Sequence, residues 1–321
     1  MSVQFARRIR VRAMIFAAGF GTRLRPLTDV VPKPLVPVGL RPLMAFAVDH
    51  LAAAGARHIV ANAHHLAPEV ECVAPTLAPA GATLDVVTEP KILGTGGGLR
   101  NAWKHLRGDG PVVVMNGDIL FAPNLEAAVS RHEASGAIAT MVLRRDPAAH
   151  SFGAVETDDG GRVRRLLGEP AAFASASLEA FMFTGVHILS ERAFADLPED
   201  GCIIRQSYRR WVDRGEVVCG VVDDSPWSDL GTVEAYWRAN VELASGMRAH
   251  DAVTATAPRG VVHPRASVAG DASVTASVVG QATIASGVAV ERCVVWDGTT
   301  VRESVRDAVC WPGGVIQLEV R

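Results

Sequence analysis

Scarcity narrows the reading of this sequence before any motif does. Five cysteines stand at 72, 202, 219, 293 and 310, and no two of them form a C-x-x-C pair. That scatter argues against a zinc site or a disulfide framework and suits a reducing compartment, so a cytoplasmic protein is expected. Aromatic residues make up only 6% of the chain, while alanine, valine and leucine dominate, a balance that suits an α/β core. Charge of one sign is lacking too. Against 34 Asp and Glu stand 32 Lys and Arg, for a net charge of −2, so no global field draws the chain to nucleic acid or a membrane surface. No apolar run approaches membrane-spanning length. The first ten residues carry three arginines without the apolar stretch of a secretory signal, and read as a loose extension. Gly-Lys-Ser and Gly-Lys-Thr are both absent, which excludes a Walker loop.

What the chain does have is one dense stretch near its start. The apolar run Met14-Ile15-Phe16 leads into Ala17-Ala18-Gly19-Phe20-Gly21-Thr22-Arg23-Leu24-Arg25-Pro26-Leu27-Thr28, and then into Pro32-Lys33-Pro34-Leu35. Small residues directly after a strand let backbone N–H groups approach a phosphate chain. Arg23 and Lys33 bring two cations to the same loop, and the prolines restrict it. Together these features describe a nucleoside triphosphate site. A dinucleotide fingerprint fits less well. Leu24 stands where the third glycine belongs, and the next strand, Ile59-Val60-Ala61, ends in Asn62 rather than an acid.

Downstream, strand and helix patterns alternate. Helices are expected at 43–54, near 66–74, at 99–106, 124–135 and 203–214, and from 233 to about 244. Strands are expected at 57–62, 84–88, 112–115, 138–143, 181–189 and 216–221, with a hairpin over 152–156 and 162–166. The expected fold is α/β: a Rossmann-like, mostly parallel sheet sandwiched by helices, with ligands at the carboxyl ends of the strands. His64-His65 follows the second strand. Adjacent histidines on extended chain point to opposite sides and no carboxylate or cysteine stands at ligand spacing, so they read as a polar loop. Asp118 closes Val112-Val113-Val114-Met115-Asn116-Gly117-Asp118. An N-cap is one reading there; an apolar strand beside a phosphate loop favours a metal carboxylate.

These stretches resemble the sugar-phosphate nucleotidylyltransferases, whose signature is G-x-G-T-R-L-x-P-L-T followed by P-K-P. The resemblance implies that Arg23, Lys33, Asp118 and Asp229 are catalytic. Asp118 (in N-G-D) and Asp229 (in Trp227-Ser228-Asp229-Leu230-Gly231-Thr232) would be the Mg²⁺ ligands. Ala18, Gly19, Gly21 and Thr22 would contact the nucleotide, together with Glu89, Gly94 and Thr95 around the L-G-T-x-G loop. A carboxylate accepts only, so Glu89 suits the N1–H and N2–H₂ donors of guanine. Gly153, Thr184 and Gly185 would line the sugar. In one place the chain departs from the pattern. Where many relatives have E-K-P it has Gly168-Glu169-Pro170, so the lysine for the sugar phosphate is missing, and Arg162, Arg164 or Arg165 would have to replace it.

After an expected linker at 246–260 the texture changes. Valine or isoleucine recurs at 262, 268 and 274 and again at 278, 284 and 290, the six-residue period of a parallel β-helix. This resembles the short left-handed β-helix tail of several nucleotidylyltransferases. Domains are expected at 1–247 and 258–321, with the tail serving homo-oligomer assembly or regulation. His263 is the one histidine an acyltransferase reading could use, and the tail is too short to favour that reading. The expected activity is Mg²⁺-dependent transfer from a nucleoside triphosphate to a sugar 1-phosphate. GTP with mannose 1-phosphate comes first; UTP with glucose 1-phosphate or N-acetylmuramate 1-phosphate is the alternative. A non-catalytic sugar-nucleotide sensor is the rival from another class.

Overall fold

A computed structural model describes residues 10–106, 108–170, 177–247 and 260–319. All but the last residue of the expected N-terminal extension and most of the expected linker lie outside the described residues. Two compact units emerge: Met1–Phe20 with Met44–Trp227, and Gly21–Leu43 with Ser228–Arg321. The partition therefore cuts the signature between Phe20 and Gly21, rather than falling at the linker. Residues 21–43 pack with the chain that follows Trp227, which makes the second unit discontinuous.

The first unit is built on a ten-stranded sheet. Strands Thr83–Thr88, His58–Ala63, Arg12–Phe16 and Val112–Asn116 lie side by side and parallel. Glu179–Leu189 follows antiparallel, then Ala139–Arg144 and Val218–Val222, which restore the first direction. One reversed strand in this row of seven makes the sheet mostly parallel. Three of the four parallel strands are buried almost throughout because both faces are covered, while the edge strand Thr83–Thr88 alternates; Met14, Val60, Val112, Val114, Met141, Leu143 and Leu189 join Tyr208 and Trp211 in one buried cluster. The carboxyl edge collects Phe16, Asn62, Glu89, Asn116 and Arg144 just at or after their strands.

Three elements differ from expectation. The helix expected at 99–106 starts earlier, at Gly94, and runs through the glycine cluster to Ala102. Glycine is needed there because residues 198–201 lie against it: a Cβ on Gly96 would fall 2.6 Å from Pro198 Cγ, and one on Gly97 2.6 Å from the Glu199 carbonyl oxygen. The first arm of the expected hairpin is a single helical turn, Ala149–Phe152, followed by the strand Val155–Thr157. The helix expected over 203–214 is π-wound over Ile204–Tyr208 before turning α over Arg209–Asp213.

The second unit holds three 3₁₀ turns, Thr22–Leu24, Leu27–Asp29 and Lys33–Leu35, and the helix Val233–Ala244. Its remainder is a parallel β-helix of three faces. Ser267–Val268, Thr283–Ile284 and Thr300–Val301 stack on one face. Ser273–Thr275, Ala289–Glu291 and Val305–Arg306 stack on another. Gly260–Val262, Ser277–Val279 and the later halves of Ala289–Val295 and Val305–Trp311 form the third, closed by antiparallel Gly314–Gln317. Stacked partners Val262, Val279, Val295 and Cys310 are 17, 16 and 15 residues apart, so the coils are shorter than three full six-residue repeats. Successive coils turn the same corner at Ala276, Arg292 and Asp307, all left-handed with φ of 49°, 49° and 50°.

Candidate active site

In the second unit, the signature loop is wound rather than loose. Gly21 has φ 64°, and a Cβ there would lie 2.9 Å from Thr28 Cγ2 and 3.1 Å from Lys33 Cβ, so only glycine fits. The Thr28 hydroxyl donates to the Gly21 carbonyl at 2.9 Å, and the Leu24 amide donates to the same oxygen at 2.8 Å. This folding brings Arg23 and Lys33 to one carboxylate. Asp229 Oδ2 is 3.5 Å from Arg23 Nη2, and its Oδ1 is 3.7 Å from Lys33 Nζ. Tight charge-assisted bonds run to about 2.7–2.9 Å, so both pairs are loose. The Arg23 side chain is 65% exposed and that of Lys33 only 8%. Arg23 is thus the exposed member and Lys33 the buried one. A Cβ on Gly231 would come 2.6 Å from Arg23 Nη2 and 2.8 Å from Asp229 Oδ1, so a larger residue would push these two side chains aside. Thr232 then caps the helix through its hydroxyl and the Ala235 amide, 3.2 Å apart.

In the first unit, the other half of the signature is anchored through Asn62, which the sequence marks only as the wrong residue for a dinucleotide site. Asn62 Oδ1 accepts from the Ala17 amide at 2.8 Å, and its Nδ2 donates to Glu89 Oε1 at 2.7 Å. Glu89 Oε2 accepts from the Leu93 amide at 2.9 Å. Glu89 is 1% exposed. Both of its oxygens thus serve protein donors, tying the end of the first strand to the loop that carries Gly94 and Thr95. Gly98 leaves room for this pair, since its Cβ would fall 2.8 Å from Glu89 Oε1. Gly94 has φ 70° and packs on the Gly201 carbonyl, while Thr95 Oγ1 accepts from the Ile203 amide at 3.0 Å. Ala18 is buried, whereas Gly19 and Phe20 are exposed. His64 bonds to the Glu89 carbonyl at 2.8 Å and meets the Phe20 ring edge-on at 5.6 Å. No group of three metal-ligating side chains occurs among the described residues.

Asp118 sits half-buried just past the strand end at Asn116. Gly185 bends the reversed strand at φ 86°, where a Cβ would lie 2.6 Å from Asn116 Nδ2. Thr184 is buried; its hydroxyl donates to the Val142 carbonyl at 2.8 Å, and its own carbonyl accepts from Trp227 Nε1 at 2.9 Å. Gly153, with φ 86°, packs on Leu167. The three arginines suggested in place of the missing lysine are all engaged. Arg162 donates to the Gly215 carbonyl at 2.6 Å, Arg164 to Asp158 at 2.7 Å and Arg165 to Glu156 at 3.0 Å. Glu169 pairs with Arg209. A cation that sequence reading passes over, Arg144, lies over the Trp227 ring at 5.7 Å. Its Nε is buried without a hydrogen-bond partner, and the nearest carboxylate oxygen, Asp146 Oδ2, is 3.8 Å away. Nothing in the strand pattern around Arg144 distinguishes it.

A glycine-shaped loop with two cations at one carboxylate, and a parallel sheet whose carboxyl edge is lined with polar residues, belong to a nucleotide-transferring enzyme. The Nucleotidyl transferase family matches residues 12–246, and the chain belongs to the sugar-phosphate nucleotidylyltransferases. A mannose-1-phosphate guanylyltransferase from Mycobacterium tuberculosis is 30% identical over 297 residues, which cover 91% of this chain and 81% of that protein. An N-acetylmuramate alpha-1-phosphate uridylyltransferase from Caulobacter vibrioides is 32% identical, covering 72% of this chain and 96% of its own length. A UTP–glucose-1-phosphate uridylyltransferase from Synechocystis is 33% identical, over 71% of this chain and 62% of that one. Among solved structures, HddC from Yersinia pseudotuberculosis complexed with GMP-PN superposes with a TM-score of 0.57 at 20% identity. It covers 71% of this chain and 97% of that chain, a likeness of fold.

Proposed function

We propose that this nucleotidylyltransferase joins GTP to mannose 1-phosphate, or to a similar sugar 1-phosphate, and releases pyrophosphate. The convergence of Arg23 and Lys33 on Asp229 carries the reading, because two cations around one carboxylate leave a net positive charge for a polyphosphate. A sugar-phosphate oxygen attacks the α-phosphorus in line. That P–O bond forms as the bond to the β-phosphate oxygen breaks, and pyrophosphate carries the charge away. Arg23, exposed and able to swing, grips the β- and γ-phosphates through its planar fork. Lys33, held in place, offers a point charge nearer the reacting phosphorus. Ala18, Gly19, Gly21 and Thr22 supply backbone donors.

Asp118 and Asp229 are partly exposed carboxylates, the hard oxygen donors that Mg²⁺ takes. Bound by them, Mg²⁺ would offset the charge of the reacting phosphates. The base preference rests on the M. tuberculosis guanylyltransferase rather than on the Glu89 carboxylate, which acts through the loop it ties. Two uridylyltransferases among the relatives support UTP as the second reading. For the sugar phosphate, Arg144 fits the place of the missing lysine. It ends a strand at the carboxyl edge, stacks on the Trp227 that holds Thr184, and keeps an unpaired N–H that an anionic oxygen would satisfy. Gly153, Thr184 and Gly185 then shape the sugar side. The same reading makes the tail left-handed, a surface for self-assembly, and the enzyme cytoplasmic.

Pyrophosphate release with Mg²⁺, measured for GTP, UTP, dTTP, CTP and ATP against a panel of sugar 1-phosphates, tests this. GTP with mannose 1-phosphate should turn over fastest. Faster release with UTP would overturn the base assignment, and silence from folded protein in every pairing would overturn the catalytic reading.

A further inference from the structure

The helix Val233–Ala244 faces two ways within the second unit. On one side it holds the chain that follows Lys33. Tyr236 Oη donates to the Pro37 carbonyl at 2.6 Å. One turn later, Asn240 Oδ1 accepts from the Gly39 amide at 2.9 Å, while its Nδ2 donates to the Tyr236 carbonyl at 3.0 Å. These bonds clamp the hairpin Pro37–Val38 and Arg41–Pro42, whose turn places Gly39 at φ 54° and Leu40 at φ 78°. Hydrogen bonds continue from there to the cation. The Leu43 amide donates to the Val36 carbonyl at 3.0 Å, and the Val36 amide donates to the Lys33 carbonyl at 3.2 Å.

On its other side the helix meets the β-helix. Trp296 Nε1 donates to Tyr236 Oη at 2.9 Å, so that oxygen accepts from the tail and donates to the loop. Trp237 Nε1 donates to the Arg292 carbonyl at 2.6 Å. That carbonyl leaves a left-handed corner, and the Arg292 guanidinium is forked onto Asp307 at 2.6 and 2.5 Å. Tyr236 and Asn240 are fully buried, and Trp296 nearly so. Burial raises the Tyr236 phenol well above its ordinary range, which keeps it protonated and donating. A hydroxyl that accepts one bond while donating another is polarised in the sense that strengthens both.

We propose that the β-helix is a brace for the Lys33 loop, with Tyr236 and Trp296 as positioning residues that fix where Lys33 stands against Asp229. Its effect on turnover rests on the nucleotidylyltransferase reading, whereas its effect on the loop does not. The tail is then a working part of the site even though it contributes no group that touches substrate.

Tyr236→Phe keeps the ring and removes the relay hydroxyl, Trp296→Phe removes the indole N–H together with one fused ring, and both are tested in the full chain. Hydrogen exchange followed by mass spectrometry should show protection of residues 33–43 falling about tenfold in either variant, the worth of one buried hydrogen bond. The Arg12–Phe16 strand should stay protected. The turnover number should fall by a similar factor with little change in KM for the nucleotide, as expected when a cation is misplaced for the transition state. Because both bonds share one oxygen, the double variant should be no worse than Tyr236→Phe alone. Trp237→Phe is the control: its indole N–H bonds to the Arg292 carbonyl of the tail, so its loss should lower Tm and leave protection of 33–43 intact. Unchanged protection in folded Tyr236→Phe, or losses that multiply in the double variant, would overturn the brace. Lost protection in a protein that turns over no nucleotide would uphold the brace and refute the enzymatic reading. If Trp296→Phe does not fold, Tyr236→Phe decides alone.

Discussion

Replacing Glu89 with glutamine changes one oxygen into an NH₂ and almost nothing in shape. Both partners of the Glu89 carboxylate are donors, the Asn62 amide at 2.7 Å and the Leu93 backbone N–H at 2.9 Å. The new NH₂ must therefore face a donor. Asn62 cannot turn to accommodate it without losing the Ala17 bond made by its oxygen. The variant loses a charge-assisted hydrogen bond, about 1.5–3 kcal/mol, and leaves a buried donor unpaired, about 1–3 kcal/mol. Glu89→Gln should thus cost about 3 kcal/mol, read as a lower midpoint in urea. Asn62→Asp alone should cost more, because it sets two carboxylates against each other in a buried place. Together the two changes restore the pattern. The carboxylate then standing at position 62 would accept from the Ala17 amide and from the new NH₂ at position 89. The side-chain oxygen kept at position 89 would still accept from Leu93. The double variant should recover most of the loss, giving a coupling of several kcal/mol. Additive losses would refute the assignment of Glu89 as an internal tie.

Arg144→Met keeps the stacked stem and removes the charge. KM for the sugar 1-phosphate should rise about 10- to 100-fold with a small change for the nucleotide, the cost of one charge-assisted contact, and Arg144→Lys should recover part of it. An unchanged KM in steady-state assays would remove Arg144 from the site. Burial lowers His187 to about 3, with its Nδ1 on the Tyr208 hydroxyl at 2.8 Å. The unfolded chain takes up this proton below about 6.5 and the folded chain does not until about 3, so stability is lost as pH falls through that window. His132, lowered to about 4, acts in the same sense. From pH 7 to pH 5 the urea-unfolding free energy should drop by about 2 kcal/mol through His187. An equal drop in His187→Gln would show that another group is responsible.

The order of strands and helices was legible because buried parallel strands and amphipathic helices leave their period in the chain. The signature was legible because its conformation depends on residue type. Gly21, at φ 64°, is required by Thr28 and Lys33. Glu89 was harder to read, since its partner Asn62 lies 27 residues earlier on another strand and nothing local marks the pair. Arg162, Arg164 and Arg165 looked available as charges; their partners at Gly215, Asp158 and Glu156 exist only once the sheet has formed. The six-residue period identified the β-helix, whose coils step by 17, 16 and 15 residues between Val262, Val279, Val295 and Cys310 and turn at Ala276, Arg292 and Asp307. Sequence texture marked the tail as separate, while the Tyr236 hydroxyl joins it to the loop.

The discontinuity of the second unit has a consequence for how the enzyme comes into being. Synthesis delivers the Gly21–Leu43 segment early, yet Tyr236 stands 199 residues after Pro37, Asn240 201 after Gly39, and Asp229 206 after Arg23. At about 5–20 residues per second, roughly 10–40 s separate the making of the cations from the making of what holds them. During that interval the first unit can complete its sheet, but the emerging chain has no finished phosphate grip. A nascent or truncated product that ends before Asp229 would lack the carboxylate that gathers Arg23 and Lys33, so the phosphate grip is assembled only once synthesis has passed Asn240.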